Sequence, residues 1–130
     1  MQEVKKLPIS VIIPVYNHKE SLKKVLDGIL LQTEYPEQIV IIDSSDVDDI
    51  KSFLVDFDMD VDIIYHKVNG LFPGEARNLG VKLSSKEYIA FRDSKTIPNK
   101  AWLSYFFDLL GRFDIIFGSV HYNGARGMQK

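Results

Sequence analysis

The chain has 130 residues, 45% hydrophobic and 26% charged, the usage of one ordinary globular domain, which excludes disorder, collagen-like repeats and coiled coil as its main description. Its 16 basic and 18 acidic residues give a formal net charge of −2, so no overall electrostatic footprint for nucleic acid exists. It has no cysteine, which excludes disulfides and thiolate metal sites.

The start resembles a signal peptide only superficially. Lys5 and Lys6 precede an apolar run, but Pro8 and Pro14 interrupt it and no small-residue cleavage site follows. Ile9–Val15 is a β-branched stretch suited to a strand covered on both faces. Leu22, Val25, Leu26, Ile29 and Leu30 then form a helical stripe, with Asn17 as the expected N-cap and Glu20 placed to answer it. Gln38–Asp43 reads as a second strand. Ile50, Phe53, Leu54 and Phe57 mark a second helix, with Ser45 or Asp46 as its expected cap. Val61–His66 is a third strand. Ala76, Leu79, Gly80 and Leu83 give one face of a third helix, and Glu87–Phe91 is a fourth strand. Trp102, Tyr105, Phe106, Leu109 and Phe113 mark a fourth helix, and Asp114–Val120 a fifth strand. Strands alternating with helices imply right-handed crossovers and a doubly wound, mainly parallel α/β sheet with helices on both faces. Residues 1–122 read as one domain and 123–130 as a polar tail. No apolar run approaches the ~20 residues that span a bilayer, and the chain is expected to be cytoplasmic, with any membrane association made through another segment or partner.

In open α/β sheets, ligands bind beyond the carboxyl ends of the strands. Tyr16, Asn17 and His18 follow the first strand; Asp43, Ser44, Ser45 and Asp46 close the second. Lys67 and Asn69 follow the third, ahead of Gly74, Glu75, Arg77 and Asn78 at a helix start, and Arg92, Asp93, Ser94, Lys95 and Thr96 follow the fourth. Polar side chains and helix N-termini on one sheet edge suit an anionic ligand such as a nucleotide. Ser45, Asp46, Asn17 and Asn99 are each ordinary helix caps when taken alone. Asp43 is different, because a carboxylate ending an apolar strand needs partners. Arg77 lies off its helix's apolar stripe and suits either a surface or a ligand contact. Gly74 reads as a turn that also permits close backbone approach. His66 and His121 are isolated, and no His/Asp/Glu spacing makes a metal cage. A dinucleotide fingerprint and a P-loop are both absent, and the acidic pair a receiver domain requires is replaced by Tyr16 and Asn17.

Five fragments in order resemble the inverting family 2 glycosyltransferases, which have the type-A, nucleotide-diphospho-sugar transferase-like fold. They are Ser10–Asn17, Leu31-Gln32-Thr33, Ile39–Ser45, Gly74-Glu75-Ala76-Arg77-Asn78-Leu79-Gly80 and Glu87–Lys95, with Pro98 and Trp102-Leu103 continuing the match. The resemblance implies that Pro14, Tyr16 and Asp43 border the nucleoside of a nucleotide-sugar donor, with Asp43 reading the base. It places Arg77 on the base or phosphates, Gly74 beside them, and Asp93 toward the ribose and diphosphate. It also implies cell-surface polysaccharide synthesis, a glycan or lipid acceptor and a divalent cation, Mg²⁺ or Mn²⁺. Two departures stand out. The family's Asp-x-Asp metal motif is here Asp93-Ser94-Lys95, which leaves Asp93 as the remaining metal ligand and puts an ammonium, able to neutralise a diphosphate, at the second position. No Asp or Glu follows Asp114, so the carboxylate base of an inverting transfer is not visible and no catalytic residue is assigned. The expectation is a donor-binding domain whose acceptor half is not visible. The alternative is a non-catalytic domain keeping the fold as a binding or assembly module, and self-association fits either reading.

Overall fold

The computed structural model describes residues 4–112. Within them, strands β1 (Lys6–Val15), β2 (Tyr35–Asp43), β3 (Asp62–Lys67) and β4 (Tyr88–Phe91) alternate with helices α1 (Lys19–Leu30), α2 (Ile50–Val55), α3 (Pro73–Leu83) and α4 (Trp102–Leu110). The expected fifth strand, Asp114–Val120, and the tail from Asn123 lie outside the described residues. All pairings are parallel, in the order β3-β2-β1-β4. The chain therefore builds outward from β1 to β3 and then returns to place β4 on the other side of β1, which makes a switch point between β1 and β4.

The β-branched runs of β1 and β2 exist because both faces of these strands are buried. On one face Val11, Ile13, Ile39 and Ile41 meet the stripe Leu22, Val25, Leu26 and Ile29 of α1, with Ile50 of α2 and Leu103 of α4. On the other, Ile12, Val40 and Ile42 meet Ala76, Leu79 and Leu83 of α3. This is the expected doubly wound arrangement. Gly80 lets α3 lie directly on β1, since a Cβ there would collide with the Ile12 side chain.

Strands β1 and β2 begin earlier than the apolar runs suggest. Their register slips between Leu7 and Ser10, around Pro8, which has no N–H for the ladder. Two buried glutamines brace the frame. Gln38 of β2 accepts from Ser10 Oγ at 2.7 Å and the Ser85 amide at 3.0 Å, and donates to Asp62 and Ser85 at 3.1 Å each. Gln32, just beyond α1, accepts the Leu103 amide at 3.0 Å and donates to the Asn99 and Gly28 carbonyls, tying α1 to the start of α4. Their amides are fully used, which is what burial requires.

The helix caps differ from expectation. His18, not Asn17, holds the N-cap of α1, and Asp49, not Ser45 or Asp46, that of α2. Asn17 and the Ser45-Asp46 pair bond to each other, because the loops after β1 and β2 run side by side. Asn99 serves α4 from further out, accepting the Ala101 amide at 2.9 Å.

Candidate functional site

Strand β4 pairs with β1 only as far as Ile12↔Phe91, whereas β2 stays paired to Val15↔Asp43. Among the described residues, the last part of β1 therefore has no strand neighbour on the β4 side. Pro14 suits this place, because it sits beyond the β4 pairing and needs no ladder donor there. A cleft of about 400 Å³ opens at this crevice. Pro14 and Val15 line it from the end of β1, and Tyr16, His18 and Ser44 from the loops after β1 and β2. Leu71, Pro73, Ala76 and Arg77 line it from α3 and its approach, and Asp93, Ser94 and Lys95 from the loop after β4.

The loops after β1 and β2 are knitted together. Asn17 adopts a left-handed φ of 56°, which asparagine tolerates better than most residues. Its backbone amide donates to Ser45 Oγ at 2.8 Å. Its side chain accepts the Asp46 amide at 2.8 Å and donates to the Asp46 carboxylate at 3.0 Å. The Tyr16 hydroxyl donates to the same carboxylate at 3.0 Å. Hydrogen bonds from Asn17 and Tyr16 hold the Asp46 carboxyl below its ordinary pKa, and the Asp46 bond holds the Tyr16 phenol above its own.

Beneath this loop pair lies Asp43, fully buried. Its carboxylate accepts the Ser45 amide at 2.9 Å and the Tyr65 hydroxyl at 2.7 Å, and stands 3.7 Å from Lys67 Nζ. Lys67 also donates to the Ser45 carbonyl at 2.7 Å and pairs with Asp48 at 3.3 Å. Burial, reinforced by the Asp43 carboxylate, pushes the Tyr65 phenol well above its ordinary pKa, so it stays a donor. A buried carboxylate without such partners would be costly.

The other part of the wall is built differently. Arg77 and Lys95 are exposed cations with no ion-pair partner among the described residues. At the start of α3 Glu75 accepts the Phe72 amide at 2.9 Å. Arg77 and Lys95 are the cationic side chains of this wall. Asp93 accepts the Lys95 backbone amide at 2.8 Å, which bends the loop into a tight turn. Arg92 anchors that turn, its guanidinium 5.0 Å from the centre of the Trp102 ring and its Nε donating to the Thr96 carbonyl at 3.4 Å. Burial lowers the Arg92 pKa, with Asp93 opposing the shift.

Of the residues singled out from sequence, Pro14, Tyr16, Arg77, Asp93 and Lys95 are brought together in the cleft, and Asp43 and Gly74 are not among its lining. Asp43 is occupied within the protein. Gly74 sits in the first turn of α3, where a Cβ would meet nothing within 4 Å, so no crowding there calls for glycine. His66, on β3, is exposed. His18 and Ser44, which the sequence puts at this sheet edge but to which the family resemblance gives no role, line the cleft as well. The apolar wall from Leu71 had no such signal. Among the described residues no group of three His, Cys, Asp or Glu stands ready to hold a metal ion, and no helix is long and apolar enough to cross a membrane.

Comparison with known proteins adds the family. The model of glycosyl transferase family 2 matches residues 10–129. An uncharacterized glycosyltransferase of Rickettsia conorii is 34% identical over 115 residues, covering 88% of this chain and 19% of the relative. The poly(ribitol-phosphate) beta-glucosyltransferase of Bacillus spizizenii is 31% identical over 131 residues, covering 95% of this chain and 21% of the relative. The chain thus spans about a fifth of the length of these relatives. In fold it is similar to S. aureus TarS 1–349 in complex with UDP-GlcNAc, with a TM-score of 0.70 and 23% identity over 81% of this chain and 31% of that one. It is similar also to the Pyrobaculum calidifontis mannosyltransferase PcManGT in complex with GDP-Man and Mn²⁺, with a TM-score of 0.63 and 22% identity over 72% of this chain and 29% of that one. The family match runs through every loop that walls the cleft, and with relatives above 30% identity over most of its length the chain belongs to glycosyl transferase family 2.

Proposed function

We propose that this domain binds a nucleotide-diphosphate sugar in the cleft between β1 and β4 and presents it for inverting transfer to a hydroxyl of a glycan or lipid acceptor. The observation that carries the reading is the pair of exposed cations, Arg77 and Lys95, lining a crevice at the sheet's switch point. Guanidinium and ammonium groups there match phosphate oxygens. The neighbours solved with UDP-GlcNAc and with GDP-Man support the ligand class. Pro14 and Tyr16 border the nucleoside in this reading, and Ser44 offers a hydroxyl beside them. Asp43 acts from below, as the anchor of the loop that carries Ser44. The poly(ribitol-phosphate) beta-glucosyltransferase relative supports a polymer as acceptor, and this reading takes the donor from the cytoplasmic side.

A divalent cation fits this donor set poorly. Magnesium and manganese favour several oxygen ligands. Among the described residues Asp93 is the one carboxylate lining the cleft, one of its oxygens already holds the Lys95 amide, and an ammonium follows two residues on. The engagement of this carboxylate within its own loop favours a second reading in which the domain is a non-catalytic binding or assembly module. Thermal unfolding with UDP-GlcNAc, GDP-Man, UDP and GDP, with and without Mn²⁺, separates the two. A true donor at a hundred times its Kd stabilises by about 2.7 kcal/mol. The absence of any shift would sink donor binding and leave the assembly module standing.

A further inference from the structure

We infer that the Asp93-Ser94-Lys95 turn is an anion-binding turn, in which Lys95, together with Arg77, neutralises the diphosphate of the donor without a divalent cation. The inference rests on the donor reading above and adds how the charge is met.

Three observations converge on it. First, the Asp93 carboxylate is committed to the chain itself, accepting the Lys95 amide at 2.8 Å. That bond makes Asp93 a positioning residue which shapes the turn and sets Lys95 in the cleft wall. Second, the turn is held from both sides. Ser94 is buried, and Arg92 before it is fixed against Trp102, so Lys95 starts from an ordered backbone. Third, the sign of the charge suits a diphosphate and not a metal. Arg77 and Lys95 outweigh Asp93 by one positive charge, and neither cation has an ion-pair partner among the described residues. A divalent ion placed there would be repelled by both, whereas a diphosphate would be attracted by both.

The test is isothermal titration of the full chain with UDP, GDP, UMP and GMP, in EDTA and again in Mn²⁺. The expected result is that the preferred diphosphate binds in EDTA within about threefold of its affinity in Mn²⁺, the spread of an exposed charge interaction. Lys95→Ala should weaken the diphosphate by about tenfold while the matching monophosphate moves far less. Lys95→Arg should restore most of the loss. Asp93→Asn keeps an oxygen acceptor for the Lys95 amide and should leave diphosphate affinity in place, whereas Asp93→Ala should reduce it by loosening the turn. Circular dichroism checks that each variant is folded. Diphosphate binding that needs Mn²⁺, or that Asp93→Asn abolishes, would overturn this inference and leave the donor reading intact. Failure of every nucleotide in both conditions would overturn the two together.

Discussion

The cleft has two kinds of wall. The loops after β1 and β2 turn their polar groups toward each other: Tyr16 and Asn17 toward Asp46, Asn17 toward Ser45, and Asp43 toward Ser45, Tyr65 and Lys67. Helix α3 and the loop after β4 leave Arg77 and Lys95 exposed and without ion partners among the described residues. Polar residues of the same types therefore have opposite roles, set by whether the neighbouring loop supplies partners. The satisfied wall keeps a fixed shape, because each of its groups would lose a bond on moving. The unsatisfied wall is where an outside anion gains most, since no carboxylate among the described residues pairs with those charges.

If this division holds, variants of the first wall lose stability and variants of the second lose affinity. The largest effect is expected from Asp43→Ala, which strands the Tyr65 hydroxyl and the Ser45 amide and removes a partner of Lys67. A loss of about 3 kcal/mol in urea unfolding follows for a broken buried charge network. A smaller loss would mean that Lys67 and Tyr65 find water or other partners. Gly80→Ala comes next, at about 2 kcal/mol in thermal unfolding, because α3 must lift off Ile12 to make room. Arg77→Ala should change unfolding by no more than about 0.5 kcal/mol while weakening diphosphate binding by about tenfold. A large stability loss there would erase the contrast between the walls.

The smallest effect concerns pH. The Asp46 carboxyl is held below its ordinary value of 3.8. Its contribution is therefore present above that value and is lost as the pH falls through the lower folded-state pKa. Asp46→Asn should flatten this part of the acid limb in a pH series of urea midpoints. An unchanged slope would show that the Tyr16-Asn17-Asp46 contacts contribute little to folding.

Much of this was open to reading before any coordinates. The strands β1 to β4 and helices α1 to α4 follow the apolar runs and stripes, because burial on two faces or on one leaves a period in the chain. Pro14, Tyr16, Arg77, Asp93 and Lys95 were findable because parallel strands bring their C-terminal loops to one edge. The caps were not. A residue such as Asn17 or Ser45 has the same chemistry whether it caps its own helix or bonds to a loop 28 residues away, and local spacing cannot tell the two apart.

The alternation of elements, the parallel sheet and the set of polar residues at its edge are legible in the amino-acid order, since these depend on periodicity and on neighbours close along the chain. Which of those residues face the cleft depends on the folded arrangement. Asp43, the most conspicuous carboxylate in the sequence, is buried because Tyr65 and Lys67 arrive beside it on β3. Lys95 remains exposed because Asp93 bonds its backbone and not its ammonium. Both outcomes depend on which partner arrives from elsewhere in the fold.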